Sequence, residues 1–177
     1  MLEQLVADLD VLVEALEAGG VPPDSDALLN MANTLGKLFD VKTDEVAVLK
    51  IVPKYRSLKF VIPEKLTPVG TIPLTSTTAL AARTARDRKP ELANNFSSAR
   101  HVNVFEAVPL GRNSGELIQK IMSAPIMDGP RIHGVVQICR KATSLQQTGP
   151  DFTQKDLRKL GSLSPMLDRF LKLCKLD

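Results

Sequence analysis

Leu2, Leu5, Leu9, Leu12, Val13 and Leu16 recur at steps of three and four with acidic residues between them. That spacing predicts an amphipathic helix, ended by Gly19 and Gly20. After Pro22 and Pro23, Asp24 or Ser25 can cap a second helix whose apolar face holds Leu28, Leu29, Met31, Ala32, Leu35, Leu38 and Phe39. The period then changes. "EVAVLKIV", residues 45–52, is a continuous apolar run, the pattern of a central strand covered on both faces, and Pro53 ends it. "RSLKFVI" alternates, so a second strand returns beside the first with Leu58, Phe60 and Ile62 on one side. A short extended piece, "GTIPLTS", leads into an Ala-rich helix that ends in Arg83, Arg86, Arg88 and Lys89 and stops at Pro90.

Residues 91–116 are irregular but contain Phe96, Val104 and Phe105, too apolar for a disordered tail; they predict an ordered flap. "LIQKIMSAPIMD" and "RIHGVVQIC" flank Asp128-Gly129-Pro130 as the two strands of a hairpin. Thr153 with Asp156 three positions on is a capping-box variant opening a last helix striped by Leu157, Leu160, Leu163, Leu167, Phe170, Leu171 and Cys174. Gly161 and Pro165 should bend that helix or interrupt it locally. The order predicts an α+β fold: one antiparallel sheet of about five or six strands, with N- and C-terminal helices on one face and a short helix plus flap on the other. Residues 1–23 form an N-terminal helix and linker, and 24–177 the domain.

Charge changes the picture in one respect. Residues 1–45 carry ten acidic and two basic side chains, whereas 46–177 carry ten acidic and 21 basic ones. Either an acidic segment packs beside a basic C-terminal helix, or a basic body awaits an anionic ligand. Outside the run Arg83–Lys89 the cations are dispersed and no nucleic-acid-binding motif accompanies them, so nucleic acid is not an expected partner. No apolar run approaches a membrane span and no secretory signal is visible; with two cysteines on apolar stretches, Cys139 and Cys174, a cytoplasmic setting is expected.

Three segments resemble a GAF domain, the small-molecule sensor module of signalling proteins. They are "GTIPLTSTTALAARTARDRKPELANN", "KIMSAPIMDGPRIHGVVQICRK" and "FTQKDLRKLGSL", in that family's order. The resemblance spans roughly residues 27–173 and implies the fold just described. One subgroup, the cyclic-nucleotide-regulated domains, has an Asn-Lys pair after the last strand and then Phe-x-x-x-Asp-Glu. Lys141, Phe152 and Asp156 match, while Arg140 and Leu157 replace the Asn and the Glu. The resemblance implies an ion pair between Lys141 and Asp156 that pins the loop to the helix start; the departures count against cyclic nucleotide.

The residues favour reversible binding over catalysis. Alternation puts Phe60 and Ile62 on one face and Met122 and Ala124 together on the hairpin; Phe96, Arg100, His101 and Phe105 come from the flap. Together they would line an apolar pocket with one or two cationic donors, suited to an anionic small molecule that Arg100 could grip bidentately. The expectation is a non-catalytic sensory module, a homodimer through its terminal helices with output through a partner protein. The alternative is a structural dimerisation or docking domain with a filled pocket. A third class, the family's free methionine sulfoxide reductases, needs cooperating thiols under the flap, and neither cysteine lies there. No metal-ligand spacing accompanies His101 or His133, and no metal or cofactor is expected; a haem on His101 is not favoured.

Overall fold

A computed structural model describes residues 1–68, 70–96 and 116–176. Helix α1 (Leu2–Gly19) ends at Gly20, whose φ of 67° lets its N–H reach the Leu16 carbonyl. Helix α2 (Ser25–Phe39) begins where the Asp24 carboxylate accepts the Ala27 N–H at 2.8 Å. Strands β1 (Val46–Val52) and β2 (Ser57–Ile62) follow, then β3 (Thr71–Pro73), helix α3 (Leu80–Asp87) and β4 (Glu91–Ala93). The long hairpin β5 (Leu117–Asp128) and β6 (Arg131–Ala142) turns at Gly129, φ 58°. The C-terminal stripe forms two helices, α4 (Gln154–Ser162) and α5 (Ser164–Leu173), the second opened by Pro165. Thr153 and Asp156 close the expected capping box.

Among the described residues the strands form one antiparallel sheet in the order β3-β2-β1-β6-β5-β4. The α+β architecture read from the sequence is the one observed. Strand β4 is an addition, since it lies in the stretch expected to be flap. Both faces of the sheet are covered. On one, Leu9 and Val13 of α1, Met31 and Leu35 of α2 and Phe170 of α5 pack on Val46, Val48, Met122, Val136 and Ile138. On the other, Leu80, Ala81 and Ala85 of α3 pack with Phe96 on Ala47, Leu49, Ile121, Val135 and Cys139. We call these the helix face and the α3 face.

Val48 pairs with Ile62 but Leu49 pairs with Phe60, so Val61 is an extra residue in β2. This bulge corrects the expectation that Phe60 and Ile62 share a face. Phe60 lies on the α3 face with Leu49, and Ile62 on the helix face with Val48.

The charge asymmetry has an internal outlet. Arg169 of α5 lies 2.5 Å from Glu17 and 3.7 Å from Asp10, both on α1. Lys50 Nζ donates to the carbonyls of Leu171 at 2.9 Å and Cys174 at 2.6 Å, covering acceptors left open where α5 ends. Gly134 permits a close approach of β6 to β1 and α5: a Cβ there would strike the Leu49 carbonyl and Leu171 Cδ1. Beyond β4 the outer edge of β5 is blunted, because Pro125 has no N–H and the Met127 N–H donates to Ser164 Oγ at 2.7 Å.

Candidate functional site

Strands buried on both faces can hide polar residues only where these find partners. Ser123 of β5 and Gln137 of β6 are direct cross-strand partners, and their side chains point to the α3 face. Thr84 of α3 meets them there, with its Oγ1 2.7 Å from Ser123 Oγ and 2.9 Å from the Leu80 carbonyl. A hydroxyl has one proton. Because Thr84 donates to Leu80, Ser123 donates to Thr84 and accepts from Gln137 Nε2 at 3.2 Å. A directed chain therefore runs Gln137, Ser123, Thr84, Leu80 through an aliphatic layer, and its three side chains are at most 1% exposed.

Phe60 and Phe96 belong to this same layer. Phe96 is anchored by its N–H to the Gln119 carbonyl at 2.8 Å, immediately before the segment 97–115. Just ahead of it, the Asn94 amide exchanges two hydrogen bonds of 2.9 Å with the backbone of Phe152 and ties β4 to the loop before α4. Of the residues predicted to line the pocket, Phe60 and Phe96 are thus together on the α3 face. Ile62, Met122 and Ala124 sit on the helix face, with the sheet between. For Met122 and Ala124 the reason is strand parity: β5 turns Ile121 and Ser123 toward α3 and their neighbours away. Arg100, His101 and Phe105 lie outside the described residues. The sequence pattern passed over Ser123 and Gln137, whose signal is a polar residue set inside a short apolar run, IMSAPIM in β5 and GVVQIC in β6.

Lys141 and Asp156, expected to pair, are engaged elsewhere. Lys141 Nζ donates to the Asp44 carbonyl at 3.2 Å and Asp156 receives the Thr153 N–H at 2.8 Å. Neighbouring basic residues tie the loop. Arg140 donates to the carbonyls of Asp40 at 2.7 Å, Phe39 at 3.3 Å and Pro150 at 3.0 Å, and its guanidinium stacks 4.5 Å from the Phe152 ring centroid. Lys120 reaches Asp151 at 2.8 Å and the Gly149 carbonyl at 2.7 Å.

At the hairpin end, the ligand-type atoms of Asp128, His133 and Asp168 lie within 4.8 Å of one another. His133 Nδ1 is 2.5 Å from Asp168 Oδ1. The Lys172 ammonium lies 2.9 Å from Asp168 and 3.0 Å from Asp128, taking the place between the carboxylates that a cation would take. Hydrogen bonds to Asp168 and Asp128 raise the Lys172 pKa, and the Lys172 bond lowers that of Asp128.

The two thiols cannot cooperate within one chain. Cys139 is on the α3 face and Cys174 on the helix face, and burial pushes the Cys174 thiol up to about 12. That holds it as the unreactive neutral form.

No model of a known protein family matches the sequence, and no curated protein matches it. Solved structures do. The GAF domain of a phosphoenolpyruvate-protein phosphotransferase from Acinetobacter aligns with a TM-score of 0.65 at 13% identity, over 96% of this chain and 93% of that one. The fold is that of a GAF domain. Free methionine-R-sulfoxide reductase from Neisseria meningitidis, solved with its substrate, shares this GAF-like fold with a TM-score of 0.62 at 14% identity, over 98% of this chain and 90% of that one. The second GAF domain of DevS from Mycobacterium smegmatis gives 0.55 at 12% identity, over 84% and 95% respectively. At these identities the likeness carries the GAF fold and not an activity.

Proposed function

We propose that this GAF-like domain is a non-catalytic sensory module whose small-molecule ligand rests on the α3 face of the sheet, under the flap expected from the sequence at residues 91–116. The observation that carries the proposal is the Gln137–Ser123–Thr84 chain. Buried against α3 with its hydrogen bonds closed among its own members, that polar strip would fix the shape of a floor under a small-molecule ligand, with Arg100 supplying an anion contact. Binding would shift how terminal helices pair between two copies, which requires different affinities for the two arrangements. Outward-facing Leu2 and Val11 on α1, 50% and 64% exposed, would contribute to that pairing and to contact with a signalling partner. Free, buried thiols suit a reducing, cytoplasmic setting. The separation of those thiols across the sheet favours this role over sulfoxide reduction.

A second reading, a structural docking domain with a filled interior, is favoured by the complete burial of Phe60 and near-complete burial of Phe96 in the same layer. Mass spectrometry under native and then denaturing conditions separates the two. Retained mass released on denaturation, and lost in Gln137→Leu and Arg100→Ala variants that still fold, supports sensing. A clean dimer that gains thermal stability from no compound in a ligand panel supports the structural role.

A further inference from the structure

Val61, the bulged residue of β2, faces a cleft of about 710 Å³ on the helix face, across the sheet from the α3-side floor. Its walls come from the linker between α1 and α2, from Leu28 of α2, from the one-turn helical segment Glu64–Leu66 with the residues after it, and from the chain leaving α5. Cavities of several hundred Å³ with apolar walls and few polar groups are the usual form of a small-molecule site. Three wall residues are prolines, Pro22, Pro23 and Pro68, so this stretch offers no backbone N–H there. Polar recognition falls to side chains at the rim. Two of these are Lys65 and Lys175, both exposed and neither with an ion-pair partner among the described residues. The acid beside them, Glu64, lines both this cleft and a neighbouring one of about 370 Å³, and its carboxylate accepts the Ser25 hydroxyl at 2.8 Å. That second cleft shares Leu28, Glu64 and Lys65 with the first and continues the apolar surface along Leu29, which is 53% exposed.

From this geometry we infer a second binding site, specific for an amphipathic anion, a single aliphatic chain ending in a carboxylate. The chain lies along Leu28 and Val61, where burying methylenes is favourable, and the carboxylate meets the ammonium groups of Lys65 and Lys175. Such a ligand would bridge the α1–α2 linker to the segment after α5, the two ends of the helical layer. The site is independent of the sensing proposal, because the sheet separates the two.

Decanoate is the probe, titrated calorimetrically into the full chain with thermal unfolding in parallel. Saturable one-to-one binding is expected. Butyrate, with the same head and a short chain, and decyltrimethylammonium, with the same chain and opposite charge, should each bind more weakly by roughly tenfold or more. Lys65→Glu with Lys175→Glu, both at the surface, should weaken decanoate by roughly tenfold without moving the melting temperature of the free protein. Absence of saturable decanoate binding, equal binding of the cationic analogue, or an unaffected double variant would each overturn the proposal. If affinity is lost in Gln137→Leu but kept in the lysine variant, decanoate sits on the α3 face; this site then falls while the sensing proposal stands.

Discussion

Cys139 and Cys174 lie on opposite faces of one β-sheet, each buried in a different core layer. Oxidation of the folded protein should therefore produce no intrachain disulfide, and mass analysis after non-reducing digestion checks this. Cys174 also sets a pH dependence. Its thiol, ordinarily near 9.0, is pushed up to about 12 by burial. The folded chain holds the proton where the unfolded chain releases it, so this contribution to stability is complete below pH 9.0 and is lost as pH rises toward 12. Denaturation of Cys174→Val beside the parent chain should show a shallower decline over that range.

Ser123→Ala removes the middle of the polar chain: Gln137 Nε2 loses its acceptor and the Thr84 hydroxyl keeps only its bond to the Leu80 carbonyl. Leaving buried partners unsatisfied costs about 1–3 kcal/mol. The triple variant Thr84→Val, Ser123→Ala, Gln137→Leu deletes the whole chain and should recover part of that loss. Urea unfolding of the single and triple variants tests the coupling; additive losses would show that the three side chains act separately.

Gly134→Ala should be among the most damaging small substitutions. Its Cβ meets a backbone carbonyl of β1, which cannot retreat without disturbing the pairing of β1 with β6, and the end of the Leu171 side chain, which must leave its rotamer. A loss of about 1–3 kcal/mol or more is expected for such overpacking, measured as a lower denaturation midpoint.

Lys50→Met keeps the aliphatic stem but removes both hydrogen bonds at the end of α5. Each bond to a charged donor contributes about 1.5–3 kcal/mol, and water can replace part of it at this half-buried position. Amide exchange should accelerate first in residues 171–176, because that segment is held to β1 by this ammonium.

Much of this architecture was legible along the chain. The three-and-four spacing placed α1 and α2, and the Asp24 and Thr153 caps marked where helices begin. Asp-Gly-Pro marked the hairpin, and the charge asymmetry found its outlet in Arg169 with Glu17. The site was less legible. Alternation assumes an unbroken register, and the extra residue at Val61 carries Ile62 through the sheet without changing composition or hydropathy. Strand β4 is three residues long, too short to show a period. The Thr84–Ser123 contact joins positions 39 residues apart, which no local pattern announces. Lys141 carried the family-like motif, yet the stacking that holds the loop belongs to Arg140, because only a guanidinium can lie flat on Phe152 while its edge serves three carbonyls.

The blunted margin of β5 limits how copies of this chain can meet. Pairing of one sheet with another needs a row of open amides, and here the row is broken by a proline and by an amide already committed to Ser164. At the opposite margin β3 offers three residues. Fibrillar stacking through main-chain ladders is thereby discouraged at both borders. Association falls to side chains, whose identity selection can alter one at a time, so the scaffold can change partners without rebuilding its sheet.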